Sequence, residues 1–244
     1  MKIVIVATYF KRLPQLLATV RSLNNYYRDD YEMVVVEDGG TLLERMDLNN
    51  NFPLEVISLK EKEWVNSGIP YNYGFEAALR RKADIIIIQN AECYHAGDII
   101  GYAEHNLTDK NYISFPCYSL SKDDTLPPIE MYPRGASHDG DSAWYNHPRY
   151  RPVGYHFCAA ITADNLRRIN GFDERFKDGK DFEDNFLLHQ VRQLGLTIEI
   201  PPEPYVFHQW HYSTPRPGKT NHDLYNELVK TEGYKATHLI TPDL

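Results

Sequence analysis

Hydrophobic positions along this chain follow two alternating rhythms. Short runs at residues 2–7, 33–37, 54–59, 83–89 and 112–118 carry apolar side chains at nearly every successive position. A strand with one wet face alternates apolar with polar, whereas a strand buried on both faces does not. The runs therefore predict five buried strands, the third weaker than the rest. Between the first two the rhythm lengthens. Leu13, Leu16, Leu17, Val20 and Leu23 recur at helical spacing, with Pro14 tolerated in the first turn. Further helices are predicted at 71–81 and 96–106. Buried strands alternating with helices imply an α/β fold: a mostly parallel central sheet with helices on both faces.

The rhythm then stops. Residues 121–152 are rich in Pro, Gly, Asp, His and Tyr and have no period, the mark of a long functional loop. Order returns with a strand at 155–161, a short helix at 163–169, a helix at 183–194 and a short strand at 197–200. In the longer helix Phe186, Leu187, Val191 and Leu194 form one stripe, ended by Gly195. Residues 206–211 are polar and aromatic, and one more helix is expected near 224–230. With 244 residues, no internal repeat and no linker, the chain reads as a single domain, 1–244.

Composition narrows the possibilities. Hydrophobic residues make up 42% and charged residues 25%, as in an ordinary globular protein. A net charge of -8 argues against a general nucleic-acid binder, which needs a basic face. It also means that an anionic ligand would need its positive charge from somewhere other than a basic groove. Cys93, Cys117 and Cys158 form no CxxC and cannot all pair, which points away from a disulfide framework and towards buried apolar thiols in a reducing compartment. The opening apolar run is too short for a signal-peptide core, and no stretch approaches the ~20 residues of a membrane span. The expectation is a soluble, cytoplasmic chain without a transmembrane segment.

In parallel α/β sheets, ligands bind beyond the carboxyl ends of the strands. The first strand is followed by Thr8-Tyr9-Phe10-Lys11-Arg12, the second by Glu37-Asp38-Gly39-Gly40 and the fourth by Asn90-Ala91-Glu92. No GxGxxG and no GxxxxGK[ST] is present, so the usual phosphate cradles are missing. The Gly-free turn after the first strand also counts against a nucleotidyltransferase. Instead the strand ends carry carboxylates, and Glu183-Asp184 opens a later helix. Carboxylates in such places accept hydrogen bonds from a nucleoside, hold a divalent cation or take a proton from a hydroxyl. Each also has a plainer use: Asp38 in an Asp-Gly turn, Asn72 and Asn90 as caps, Glu183 and Asp184 as first-turn acids.

Six segments in order resemble the GT-A glycosyltransferases, in particular family 2-like enzymes and the galactosyltransferase C-terminal-like group. IVIVATYFKR resembles their first strand and TYNR turn, with Phe10 in place of Asn. VVVEDGG is similar to VVDDGS. GIPYNYGFEAAL resembles ARNxGxxxA through Asn72 and Gly74. IIIIQNAECYH resembles the strand ending in DxD, here Asn90-Ala91-Glu92 with one carboxylate. INGFDERF with GKDFEDNFLLHQVRQLG resembles the GGFDE…ED block, and VFHQWH the late histidine motif.

The resemblance implies an inverting, metal-dependent sugar transferase, the alternative being a non-catalytic carbohydrate- or nucleotide-sugar-binding protein of the same fold. Ala7, Thr8, Tyr9 and Asp38 would meet the nucleoside of a nucleotide-sugar donor, a UDP-sugar by family precedent. Asn72 and Asn90 would face the donor. Glu92 with His208 or His211 would hold Mn²⁺ or Mg²⁺, the imidazole favouring Mn²⁺. Asp184 would be the general base, with Asp181 as the alternative and Glu183 beside the acceptor. The acceptor would be a glycan, a lipid-linked sugar or a glycoprotein, met by the second half of the chain (119–244), while the first half (1–118) holds the donor. Trp144, Tyr145, His147 and Tyr150 would offer aromatic faces for a sugar.

Overall fold

The computed structural model describes residues 1–26, 31–124, 143–212, 218–231 and 233–237. Its elements in chain order are β1 (Ile3–Tyr9), α1 (Leu13–Asn24), β2 (Tyr31–Asp38), β3 (Leu54–Leu59), α2 (Gly68–Arg80), β4 (Ile85–Asn90), β5 (Cys93–His95), α3 (Ile99–Asn106), β6 (Asn111–Ser114), β7 (Cys117–Ser119), β8 (Ala143–Asn146), β9 (Cys158–Thr162), α4 (Ala163–Ile169), α5 (Glu183–Gln193), β10 (Thr197–Glu199), β11 (Val206–His208) and α6 (His222–Thr231). Seven strands form one sheet in the order β10-β6-β9-β4-β1-β2-β3, and four form a smaller sheet in the order β5-β11-β7-β8.

The large sheet is parallel except at β9, which runs against β4 and β6. Its strands are apolar on both sides because both sides are covered. Ile3, Ile5 and Ala7 pack under α1 and α3 with Leu16, Val20, Ile99 and Ala103. Val4, Val6, Val34 and Val36 point the other way, into Phe75 of α2, Leu166 of α4 and Leu187 of α5. Helix α2 lies so close to β1 that a Cβ on Gly74 would stand 2.3 Å from Val6 Cγ1. Only glycine permits that approach.

Three predicted elements differ. The run 112–118 is two strands in different sheets: β6 ends at Ser114, Phe115-Pro116 turns the chain, and β7 joins the small sheet. Proline cannot donate to a ladder, and the apolar run hides the break because both pieces are buried. The segment 121–152 is not wholly irregular, since Ala143–Asn146 pairs with β7; residues 125–142 of it lie outside the described part. The strand predicted at 155–161 starts only at Cys158.

Register sets the stage for a site. Thr8 pairs with Asn90 and Tyr9 with Glu37, so the carboxyl ends of β1, β2 and β4 finish level.

Candidate active site

Beyond those strand ends opens a cleft of about 420 Å³. Arg12, Asn90 and Glu92 line one side, Asp181, Glu183, Asp184 and Asn185 another, with His208 and His211 between them and Tyr145, Tyr155, His156 and Phe157 as aromatic walls.

Glu92 is the pivot. It follows β4 by two residues and is buried to 2% exposure. Strand β5 then pairs antiparallel with β11, placing Cys93 opposite His208. The ladder continues one step further, with the Gln209 N–H donating to Glu92 O at 3.0 Å. This register delivers His208 Nε2 to 3.3 Å and His211 Nε2 to 3.6 Å from Glu92 Oε1. The Gln209 amide holds the segment in place by donating to Gln15 O, Thr19 Oγ1 and Glu92 O, while Gln15 Nε2 donates to Trp210 O. Gln209 gave no signal in the sequence beyond its place between the two histidines.

A buried carboxylate is costly unless countercharged. Burial alone would raise the Glu92 pKa, but the hydrogen bond and charge of His208, then Arg12 and His211, outweigh it and hold the group below the usual carboxylate range. Arg12 Nη1 also pairs directly with Glu92 Oε1. Burial and the nearby Arg12 charge push His211 below the ordinary imidazole range, which favours the neutral form that ligates metals.

One carboxylate oxygen and two imidazole nitrogens lie within 4.8 Å of one another. This donor set suits a divalent transition ion, with both histidines rather than one within reach. Arg12 already occupies one side of the carboxylate, so any metal shares Glu92 with a resident cation.

Across the cleft, α5 begins at Glu183, with Glu183 and Asp184 in its first turn. The chain enters through two consecutive left-handed residues, Asp181 (φ 60°) and Phe182 (φ 70°), neither of them glycine. Such backbone persists only where its surroundings impose it. Asn221 supplies part of that constraint, its amide donating to Phe176 O and Asp181 O at 2.9 and 3.1 Å. The Asp184 side chain is 33% exposed, and its Oδ1 lies 3.4 Å from His156 Nδ1. Glu183 is buried to 8%.

Asn90 lines the cleft, and its Oδ1 accepts a hydrogen bond from the Tyr71 hydroxyl at 3.0 Å. The remaining expected donor contacts are not in the cleft lining. Ala7 and Tyr9 are buried in the core and Thr8 is half-buried. Asp38 is buried with both oxygens engaged: Oδ2 pairs with Lys62, and Oδ1 accepts from Trp64 Nε1 at 2.9 Å. Burial still raises its pKa despite those partners. Asn72 lies apart from the cleft lining. It is fully buried, donating to Phe172 O and Glu174 Oε1 and accepting from the Phe172 N–H, so it ties α2 to the segment before α5. A buried amide needs such partners; the neighbouring Tyr71 is the α2 residue that bonds to the cleft-lining Asn90.

Among the aromatic candidates only Tyr145 lines the cleft. Trp144 packs inside the small-sheet core, 5.1 Å from Tyr118, and His147 sits between Trp144 and Tyr150 at 4.3 and 4.6 Å. The three cysteines are buried and unpaired, as expected.

A mostly parallel sheet with one reversed strand and a level rim of acids and histidines defines the class: the chain has a GT-A-like glycosyltransferase fold. The likeness to solved structures carries this. One is S. aureus TarS 1–349 in complex with UDP-GlcNAc, with TM-score 0.63 and 13% identity over 88% of this chain and 60% of that one. Another is TarS 1–349 alone, with TM-score 0.60 and 14% identity over 86% of this chain and 60% of that one. A third is the mannosyltransferase PcManGT from Pyrobaculum calidifontis in complex with GDP-Man and Mn²⁺, with TM-score 0.53 and 14% identity over 84% of this chain and 56% of that one. The chain thus spans about 60% of the length of the TarS 1–349 structures. No family profile and no curated protein matches the sequence. Among the described residues no helix is long and apolar enough to cross a membrane.

Proposed function

We propose that the chain transfers a sugar from a nucleotide-diphosphate sugar to an acceptor hydroxyl, with inversion and with a divalent cation. One observation carries the reading: a Glu92–His208–His211 cradle and the Asp184 carboxylate share one cleft at the strand ends. The neighbours' bound UDP-GlcNAc, GDP-Man and Mn²⁺ support the same class of ligand.

In this reading Glu92, His208 and His211 would hold the cation, which would offset charge on the diphosphate. The two imidazoles favour Mn²⁺ over Mg²⁺. Arg12 supplies a second positive charge beside the diphosphate, so an acidic protein needs no basic groove. Asn90 orients the donor. Asp184 Oδ2 accepts the acceptor hydroxyl proton as the oxygen attacks the anomeric carbon from the face opposite the leaving group. The bond from that carbon to the diphosphate oxygen breaks, and the nucleoside diphosphate departs. Glu183 and Tyr145 line the acceptor side. The donor is a UDP-sugar on family precedent, and the acceptor a glycan, a lipid-linked sugar or a glycoprotein. Residues 1–118 serve mainly the donor and 119–244 mainly the acceptor, within one cytoplasmic catalytic domain.

The test is thermal denaturation with UDP-GlcNAc, GDP-mannose and the free sugars, each with and without Mn²⁺, because a ligand of the native state raises its midpoint. The reading expects Mn²⁺-dependent stabilisation by a nucleotide-sugar, followed by release of the nucleoside diphosphate. Stabilisation by free sugars alone would point to a carbohydrate-binding protein.

A further inference from the structure

Beside Asp184, in the wall of the same cleft, sits a residue that neither the sequence motifs nor the proposed chemistry employs. His156 lies in the loop leading into β9 and is 5% exposed. Its ring is held edge-on by Tyr71 and Phe172, at 5.2 and 5.0 Å between centroids. That packing leaves Nδ1 3.4 Å from Asp184 Oδ1. Nδ1 is buried and makes no hydrogen bond among the described residues, Asp184 Oδ1 being the carboxylate oxygen beside it. A buried imidazole nitrogen left without a hydrogen bond beside a partly exposed carboxylate is costly and calls for an explanation.

We propose that His156 is the positioning residue of Asp184: its Nδ1–H donates to Oδ1, fixing the carboxylate so that Oδ2 is presented to the acceptor hydroxyl. This deepens the proposed function and rests on Asp184 being the base. Burial lowers the His156 pKa to about 3, so the ring is neutral at physiological pH. A neutral donor steers the carboxylate without neutralising it, whereas an imidazolium would weaken it as a base. The proton on Nδ1 stays there throughout, and the acceptor proton goes to Oδ2. The contact holds one carboxylate oxygen, while the helix start at Glu183 fixes the backbone. Tyr71 and Tyr112 face Asp184 electrostatically from α2 and β6, Asp181 and Glu183 adjoin it in sequence, and Arg12, Glu92, His208 and His211 line the same cleft.

The experiment is an NMR titration of the Asp184 carboxyl carbon in the full chain, with no substrate added. It compares wild type with His156→Phe, which keeps the packing but not the donor, and His156→Asn, whose amide nitrogen approximates Nδ1. In His156→Phe the carboxyl is expected to titrate about one pH unit higher, the scale of one hydrogen bond to a carboxylate. In His156→Asn it stays near wild type. Hydrolysis of UDP-GlcNAc or GDP-mannose should lose roughly 10- to 100-fold in kcat in the Phe variant, with donor KM unchanged and Asn restoring most of it. Identical titrations in wild type and His156→Phe, or the same upward shift in both variants, would overturn the proposal. Should the Phe variant not fold, the wild-type nitrogen spectrum decides: an Nδ1–H tautomer supports the assignment and an Nε2–H tautomer overturns it. The titration is independent of the base assignment, which fails separately if Asp184→Asn retains transfer.

Discussion

His208 stands 3.3 Å from the Glu92 carboxylate although 115 residues separate them along the chain. The antiparallel pairing of β5 with β11 makes the meeting obligatory, because any slip in that register would carry the imidazole past the carboxylate. This strand pair therefore builds the cradle, and its consequences can be measured.

Removing either partner should weaken the metal site. For Glu92→Gln and His208→Ala, Mn²⁺ affinity is expected to fall by about 10- to 100-fold, the scale seen for disrupted metal shells. Paramagnetic resonance of added Mn²⁺ reads this directly. His211→Ala should weaken binding as well, since both imidazoles are within reach. Unchanged Mn²⁺ binding in all three variants would remove the cradle as a metal site.

Arg12 and a metal compete for the same carboxylate, so Arg12→Gln should move two affinities in opposite directions. Mn²⁺ alone should bind about tenfold tighter once a unit charge is removed from beside the site. UDP should bind more weakly, because the diphosphate loses a cation. Calorimetry with each ligand separately distinguishes this from general damage, which would weaken both.

Asp184→Asn keeps the size and polarity of the side chain but cannot take a proton. Transfer is expected to drop by about 10²- to 10⁴-fold, the usual contribution of a general base. Mn²⁺ and nucleotide binding should not change. Asp181→Asn serves as the comparison, and if it carries the larger loss the two roles must be exchanged.

Asn72→Leu should behave as a core substitution and not as a donor-site variant. It leaves Phe172 O, the Phe172 N–H and Glu174 Oε1 without their present partner, at a cost of about 1–3 kcal/mol for each group left unsatisfied. A lowered denaturant midpoint with unaltered nucleotide affinity in the folded fraction is expected. A selective loss of nucleotide binding at full stability would return Asn72 to the donor site.

Acid should destabilise the fold through two buried imidazoles. Burial lowers the pKa of His95 and of His156 to about 3, from an unfolded value of 6.5. Between those values the unfolded chain binds more protons than the native one, so native stability rises with pH across the window. The contribution is complete above about pH 6.5 and is lost as the pH falls towards 3. His95 is held by Gln89 Oε1 at 2.8 Å in the interior, away from the cleft lining. Melting temperatures measured from pH 7 to 4 should therefore fall less steeply in His95→Asn than in wild type. Equal slopes would exclude His95 from the acid transition.

Local pattern alone determined much of this protein. Uninterrupted apolar runs such as Ile3–Ala7 identify strands buried on both faces, and Leu16, Val20 and Leu23 identify the helix covering one of them. Gly74 had to be small because α2 crosses β1 there. The order of short motifs located Glu92, Asp184, His208 and His211, which all reach one cleft. Other features follow from pairings between distant segments, which no local pattern records. The break at Phe115-Pro116 was invisible because both halves of the run are buried, each in its own sheet. Asn72 matched a motif, yet its amide turned inward to satisfy the backbone of Phe172. Lys62 and Trp64 claimed Asp38, Arg12 claimed Glu92, and His156 arrived beside Asp184 through aromatic packing. The sequence determined which side chains could do chemistry. The tertiary structure decided which of them are already committed to one another, because burial forces every polar group to find a partner and only the folded chain brings those partners within reach.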